Sequence, residues 1–331
     1  LTRVLERATG RELLPPGQKG NVLALYQDWP HSWDAWEIDL TYEQQLLETA
    51  TLVSTRVVAP EGPVFAEIEQ NWTIGNSTIT QRVRLAAKSA RLDFRTRVNW
   101  RERRKMLRTS VPTTVAAEFA TFEIQYGTLR RPTHRNTSWD RARFEVCAHR
   151  FADLSDLDGG LALLNDSKYG YKVFDNTLDL NLLRSPFHPD AFADSGEHSF
   201  TYSLLPHAGA VADSPVWAEA HALNQPPVCL PGAVPVELPC RTLDAHTVLD
   251  AIKRAETEEE SWVVRLYEPA GRHVTGRLAL RDDVAEVVPV NLLEQPLGPP
   301  LPFRNGELEV AFSPFQVQTL LVRTKTKRGK T

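Results

Sequence analysis

The chain is 331 residues long, with 42% hydrophobic residues, 24% charged residues and a formal net charge of −4. That length accommodates two or more hydrophobic cores, and the composition is ordinary for a globular chain. A pI near 6.2 gives no electrostatic reason to expect nucleic acid or an anionic membrane as a partner, and no run approaches the roughly 18 apolar residues of a membrane span. Three cysteines, Cys147, Cys229 and Cys240, are odd in number and lack CxxC spacing, which argues against a disulfide framework or a structural zinc site. Sequons at Asn71, Asn76 and Asn136 would mark a secreted chain. The sparse cysteines favour a reducing compartment instead, so the cytoplasm is the expected location.

From the amino terminus, short alternating runs recur at 21–26, 77–85, 92–100, 142–149, 160–165 and 177–183, separated by Gly, Pro, Asn and Asp. This is the pattern of sandwiches and barrels rather than of βαβ units. WDAWEIDL (33–40) fits a strand with Asp34, Trp36, Ile38 and Leu40 on one face. The basic run 101–105 reads as a charged edge or solvent face. Residues 216–223 suit a turn or two of helix. Five prolines between 224 and 239 suit a linker. Beyond it, 262–268 turns at 269–271 into 273–280, and Asn305–Gly306 is the strongest short hairpin signal in the chain.

Candidate site residues concentrate in the first two-thirds. A carboxylate beside an aromatic platform is a common saccharide-binding arrangement, so Trp33, Asp34 and Trp36 are candidates, with core packing of Trp36 as the alternative. The loop 131–140 offers His134, Trp139 and Asp140, which either cap a cleft or clamp the loop to the sheet. His149 closes the run 142–149, in which Phe144, Val146 and Ala148 fit a buried face, and Arg150 follows at its end, where a loop could present it; His149 is structural or faces a cleft. Asp166 fits a turn hydrogen bond. His188–Pro189–Asp190 spells H-x-D in a proline-rich crossover, and no G-x-S-x-G, P-loop or G-x-G-x-x-G occurs.

Three blocks carry a family likeness: 122–170, with Trp139, His149, Arg150, Asp166 and Tyr169; WDAWEID at 33–39; and LLRSPFHPDAFADSGEHSFTYSLLPH at 182–207. Together they resemble the carboxy-terminal half of the glycoside hydrolase family 38 α-mannosidases, nearest the neutral, cytosolic branch. The likeness runs from GRELL (10–14) to SPFQVQTLLV (313–322). It implies an all-β fold: a large antiparallel β-sandwich of the galactose-mutarotase-like supersandwich type over 1–223, a linker over 224–239, a smaller β-sandwich over 240–323 and a disordered tail. The stretch 247–260 looks helical by propensity, but the resemblance makes it a strand. The implied function is that of the β-portion of a zinc-dependent retaining α-mannosidase acting on terminal α-mannose of oligosaccharides. In that reading this chain walls the cleft, with 33–39 near its floor. The nucleophile and the zinc (or cobalt) ligands would lie in a missing amino-terminal barrel, leaving no catalytic or metal residue here. The implied partners are an α-mannoside oligosaccharide and the barrel and helical domains of the same polypeptide, with homo-oligomerisation left open. The chain opens on Leu1, and its one methionine is Met106, which fits a piece of a longer polypeptide. The rival is a stand-alone carbohydrate-binding or interaction β-sandwich without catalysis.

Overall fold

The computed structural model describes residues 1–7, 9–60, 62–232 and 238–325. The chain divides into two compact units, the first comprising Leu1–Ile124 and Leu129–Pro227 and the second Gln125–Thr128 and Val228–Thr331. The expected tail therefore falls largely outside the described residues, as do positions 233–237 of the expected linker; 225–232 carry no helix or strand.

The first unit is a sandwich of two sheets. One has nine strands, in the order Gly127–Pro132, Phe119–Ile124, Phe151–Ser155, Gly159–Asn165, Gly196–Ala208, Leu92–Trp100, Ser77–Ala86, Phe65–Ile74 and Thr51–Ala59. The other has six: Val146–Cys147, Gly170–Phe174, Thr177–Arg184, Lys105–Pro112, Val22–Gln27 and Leu46–Thr49. Period-two alternation puts each strand's apolar set inward. In Leu92–Trp100, Phe94, Val98 and Trp100 are buried while Arg95 and Arg97 are exposed. They join Leu23, Leu25, Leu107, Val111, Leu178, Leu180 and Tyr171 of the facing sheet in one core. Gly159–Asn165 is buried throughout. Its second face, Ala162 and Leu164, is covered by Val216 and Ala220 of the helix Val216–Asn224, which explains why its sequence is a continuous apolar run.

Three local expectations give way. Residues 33–40 form a turn rather than a strand: Trp33 takes a left-handed φ of 59°, and its carbonyl accepts from the backbone N–H groups of Trp36 and Glu37. The run 142–149 keeps only the bridge Val146–Cys147 as strand, because the helix Ser138–Ala142 occupies its start. The basic run 101–105 is a passage between sheets rather than an edge, although Arg101 and Arg103 are exposed as a solvent face requires. It leads from Leu92–Trp100 to Lys105–Pro112, with buried Glu102 accepting from Asn76 N (2.5 Å), Ser77 Oγ (3.0 Å) and Lys105 Nζ (2.5 Å).

The second unit holds two four-stranded sheets, one of Cys240–Thr242, Val274–Leu280, Glu307–Phe312 and Phe303–Arg304, the other of Val248–Arg254, Ser261–Tyr267, Val317–Thr324 and Val284–Val290. Leu266, Leu278, Leu308, Val310 and Leu320 meet in its core. Val248–Arg254 is a strand, as the family likeness implied against propensity. Ser261–Tyr267 and Val274–Leu280 are not a hairpin; they lie in different sheets, and the Glu268 carboxylate shapes the corner by accepting from the N–H groups of Ala270, Gly271 and Arg272. The Asn305–Gly306 turn does close a hairpin, with φ of 53° and 76° as a type I′ turn requires. Among the described residues no helix is long and apolar enough to cross a membrane.

Candidate functional site

The outer face of the six-stranded sheet is where large aromatics stay in solvent. Trp29, Trp33, Trp36 and Trp139 are 64%, 70%, 68% and 75% exposed, so Trp36 is not the core residue that a strand would have made it. Tryptophans left in water on a rigid frame are available to a ligand or a partner surface.

The frame under Trp33 and Trp36 is a set of charged anchors. Arg184, at the end of Thr177–Arg184, pairs with the buried Asp28 carboxylate and donates to the carbonyls of Asp34 (2.8 Å), Ala35 (3.3 Å) and Glu37. Burial pushes the Asp28 carboxyl upward, against the pull of Arg184. Asp34 turns back into the protein, accepting from the N–H groups of Phe187 (2.8 Å) and His188 (3.0 Å), with Arg104 Nη2 at 3.5 Å. Its carboxylate thus holds the loop rather than waiting for sugar hydroxyls. Arg104 lies 4.3 Å from the Trp29 ring centre and 5.4 Å from that of Phe187, and Arg103 lies 4.7 Å from that of Phe192. Cation–π contacts therefore extend the aromatic rim beyond the turn.

His149 reaches the same end of the sheet. Its ring meets Tyr169 edge-on at 5.7 Å, and Tyr169 precedes Gly170, whose neighbour across the sheet is Asn181. A cavity of about 210 Å³ there is lined by Lys168, Tyr169, Asn181, Arg184, Asp194 and His198. Arg150 faces elsewhere: its guanidinium binds the buried Glu123 carboxylate at 2.8 Å, and its own N–H donates to the same group. Asp166 accepts from Thr201 N at 2.9 Å, a bond across 35 residues rather than the expected turn bond, which Asn165 makes by accepting from the N–H groups of Ser167 and Lys168.

His134, Trp139 and Asp140 lie toward the sheet's other end, where Asp175 N donates to Thr133 O and the Arg135 guanidinium stacks 4.3 Å from Phe174. Asp140 is the third residue of a capping box: Thr137 Oγ1 accepts from Asp140 N, and Asp140 Oδ2 accepts from Thr137 N and Oγ1. The Thr137 bonds hold the Asp140 carboxyl below its usual range. His134 Nδ1 is 3.7 Å from the same carboxylate.

A buried charged network that the sequence did not announce clasps the two loops. Arg108, on the outer face of Lys105–Pro112 and 1% exposed, bonds Asp179 at 2.6 Å and pairs with Glu145 at 2.9 Å. Tyr42, from the 3₁₀ turn Leu40–Gln44 that follows the tryptophan turn, donates to Glu145 at 2.5 Å. Glu43 takes both Arg135 amino groups at 2.7 Å, with Lys172 at 3.3 Å. Burial opposes charge on Arg108, but Asp179 and Glu145 outweigh it and hold the guanidinium protonated. Burial pushes Glu145 up in turn. Arg108 Nη1 and Glu145 Oε2 have no hydrogen-bond partner. The only sequence signal for the network was a lone arginine inside an apolar strand.

Residues 1–192 match the family described as Glycosyl hydrolases family 38 C-terminal domain, and residues 246–320 match the Glycosyl hydrolases family 38 C-terminal beta sandwich domain. Alpha-mannosidase 2C1 of Homo sapiens is 41% identical over 332 residues, covering 97% of this chain and 32% of the relative. Alpha-mannosidase G of Dictyostelium discoideum is 37% identical over 285 residues, covering 82% of this chain and 26% of the relative. The chain thus spans about a third of the length of the curated relatives it matches. A crystal structure of a family 38 glycosyl hydrolase from Enterococcus faecalis superposes with a TM-score of 0.77 over 96% of this chain and 41% of that one; at 17% identity the likeness is one of fold.

Proposed function

Because the chain belongs to glycoside hydrolase family 38 and carries that family's carboxy-terminal β-region, we propose that it is the β-portion of a cytoplasmic α-mannosidase that releases terminal α-mannose from oligosaccharides. The observation that carries the role of this portion is the exposed tryptophan turn pinned by Arg184 and Asp34. Rings fixed in water before substrate arrives bind a sugar face without the entropy loss of ordering a loop. In this reading Trp33 and Trp36, with Trp29 beside them, wall the cleft and stack on pyranose rings, and His149 with Tyr169 contributes polar contacts at the same end.

The proposal extends to a retaining mechanism, which needs two carboxyl groups flanking the scissile bond. Asp34, Glu123, Asp140 and Glu145 are each engaged in internal bonds, so the reading assigns the reacting carboxylates to the remaining two-thirds of the polypeptide. The zinc that the likeness implies has no fit among the described residues, where no group of three or more His, Cys, Asp or Glu could hold a metal ion.

The test uses the full-length polypeptide. Trp33→Ala with Trp36→Ala should raise KM for a manno-oligosaccharide by tenfold or more, since aromatic ring contacts are worth about 1 kcal/mol each, while turnover of a small aryl α-mannoside changes less. An unchanged KM for the oligosaccharide would remove the tryptophans from the cleft. Absence of α-mannoside hydrolysis by the unmutated polypeptide would remove the activity.

A further inference from the structure

On the strands from Thr51–Ala59 to Leu92–Trp100 of the nine-stranded sheet arginines stand in register, and all but two pair with a carboxylate among the described residues. Arg56 and Arg82 share Glu69 at 2.7 and 2.9 Å, Arg84 pairs with Glu67 at 2.6 Å, and Arg91 with Asp93 at 2.7 Å. Arg95 and Arg97, two positions apart on Leu92–Trp100 and both exposed, have no carboxylate partner among the described residues. Arg82 stands directly opposite Arg95 in the neighbouring strand, and like charges in that relation repel.

The two guanidiniums border a groove. A cavity of about 270 Å³ is lined by Arg82, Arg95, Arg97, Ser199 and Thr201, with Glu69 at its wall already engaged by Arg56 and Arg82. A second, of about 520 Å³, shares Arg97, Thr80 and Ser199 and continues to Thr78, Asn99 and Glu197. Residues two apart on a strand sit ~7 Å from each other, a span over which two guanidinium forks can converge on one tetrahedral oxyanion. The flanking hydroxyls of Ser199 and Thr201 add neutral donors, while the amide and carboxylate at the far end suit hydroxyl groups. We propose that this groove binds a phosphorylated polyol, with the phosphate between Arg95 and Arg97 and the hydroxylated body along Thr78, Asn99 and Glu197. Arg82 is held by Glu69 and acts as a wall, not as a ligand.

Calorimetric titration of the 331-residue chain at low ionic strength, with glucose 6-phosphate, inorganic phosphate and glucose, tests this. Saturable binding of glucose 6-phosphate is expected, at least tenfold tighter than that of inorganic phosphate, with none for glucose. Arg95→Gln with Arg97→Gln should weaken it tenfold or more, as loss of charge-assisted bonds implies. Arg101→Gln, an exposed arginine outside both cavities, should leave it unchanged. Among the described residues these surface side chains have no carboxylate partner, so the fold should persist; the far-ultraviolet spectrum checks that. No saturable binding, equal binding by the double variant, or glucose binding as tightly as its phosphate would overturn the proposal. Equal affinity for inorganic and sugar phosphate would overturn the polyol half.

Discussion

The turn at 33–39 and the loop at 131–140 are spelled alike, each setting a tryptophan beside an aspartate, yet they use the carboxylate at opposite ranges. Asp34 reaches 153 and 154 residues along the chain, to the N–H groups of Phe187 and His188. Asp140 reaches three residues, to Thr137. The first bond exists only once the sandwich is assembled; the second forms whenever its own helix does. Exposed tryptophans result in both cases, but only in the first does the neighbouring aspartate itself make the distant bond; the second loop is tied to Glu43 through Arg135 instead. Local sequence therefore announces a cap and conceals an anchor.

The largest expected effect removes what both loops share. Arg108→Ala leaves Asp179 and Glu145 as buried, uncompensated carboxylates beneath them. Breaking such a network costs about 3–5 kcal/mol, read as a lower urea midpoint with little change in slope. Replacing Arg108, Glu145 and Asp179 together with apolar residues of similar volume should recover much of the loss. A single variant within 1 kcal/mol of wild type would mean that the network does not clasp the loops.

Next comes the contrast itself. Asp34→Ala strips two backbone donors of a charged acceptor and should cost about 1.5–3 kcal/mol. Thr137→Ala removes a cap on a five-residue exposed helix, worth about 1 kcal/mol. Equal penalties would erase the distinction between anchor and cap. Acid sharpens it further. Because the Thr137 bonds depress the folded Asp140 carboxyl below 3.8, its contribution is present above that value and is lost as pH falls through the lower, folded one. The difference between Thr137→Ala and wild type should therefore shrink in acid, as read by stability at successive pH values. A gap that widens there would reassign Asp140.

What was legible in the sequence follows the same division. The strands 77–85 and 92–100 were plain because one face is buried and the other largely solvated. The Asn305–Gly306 hairpin was plain because its backbone needs positive φ at both positions. The run 142–149 misled: Phe144, Val146 and Ala148 alternate as a strand would, but the Thr137 box starts a helix upstream and Glu145 is drawn under the sheet to Arg108 and Tyr42. Arg150 looked free at a strand end, yet its partner Glu123 is 27 residues earlier, on a strand that the alternation did not mark. Trp33, Asp34 and Trp36 were grouped on a strand, a geometry that the turn replaces while leaving both rings exposed.

The smallest expected effect on stability is also the one that separates fold from function. Trp36→Ala deletes a ring that is mostly in water, so little apolar burial is lost and stability should stay within about 0.5 kcal/mol of wild type. The same holds for Trp139→Ala, which sits on the locally capped loop. If the pinned turn is the substrate wall, the two variants part company in the full-length polypeptide: Trp36→Ala raises KM for a manno-oligosaccharide, and Trp139→Ala leaves it nearly unchanged, because a ring on a five-residue helix is free to move aside. Comparable KM increases in both would show that the aromatic surface acts as one platform, and that anchoring range does not decide which tryptophan meets the sugar.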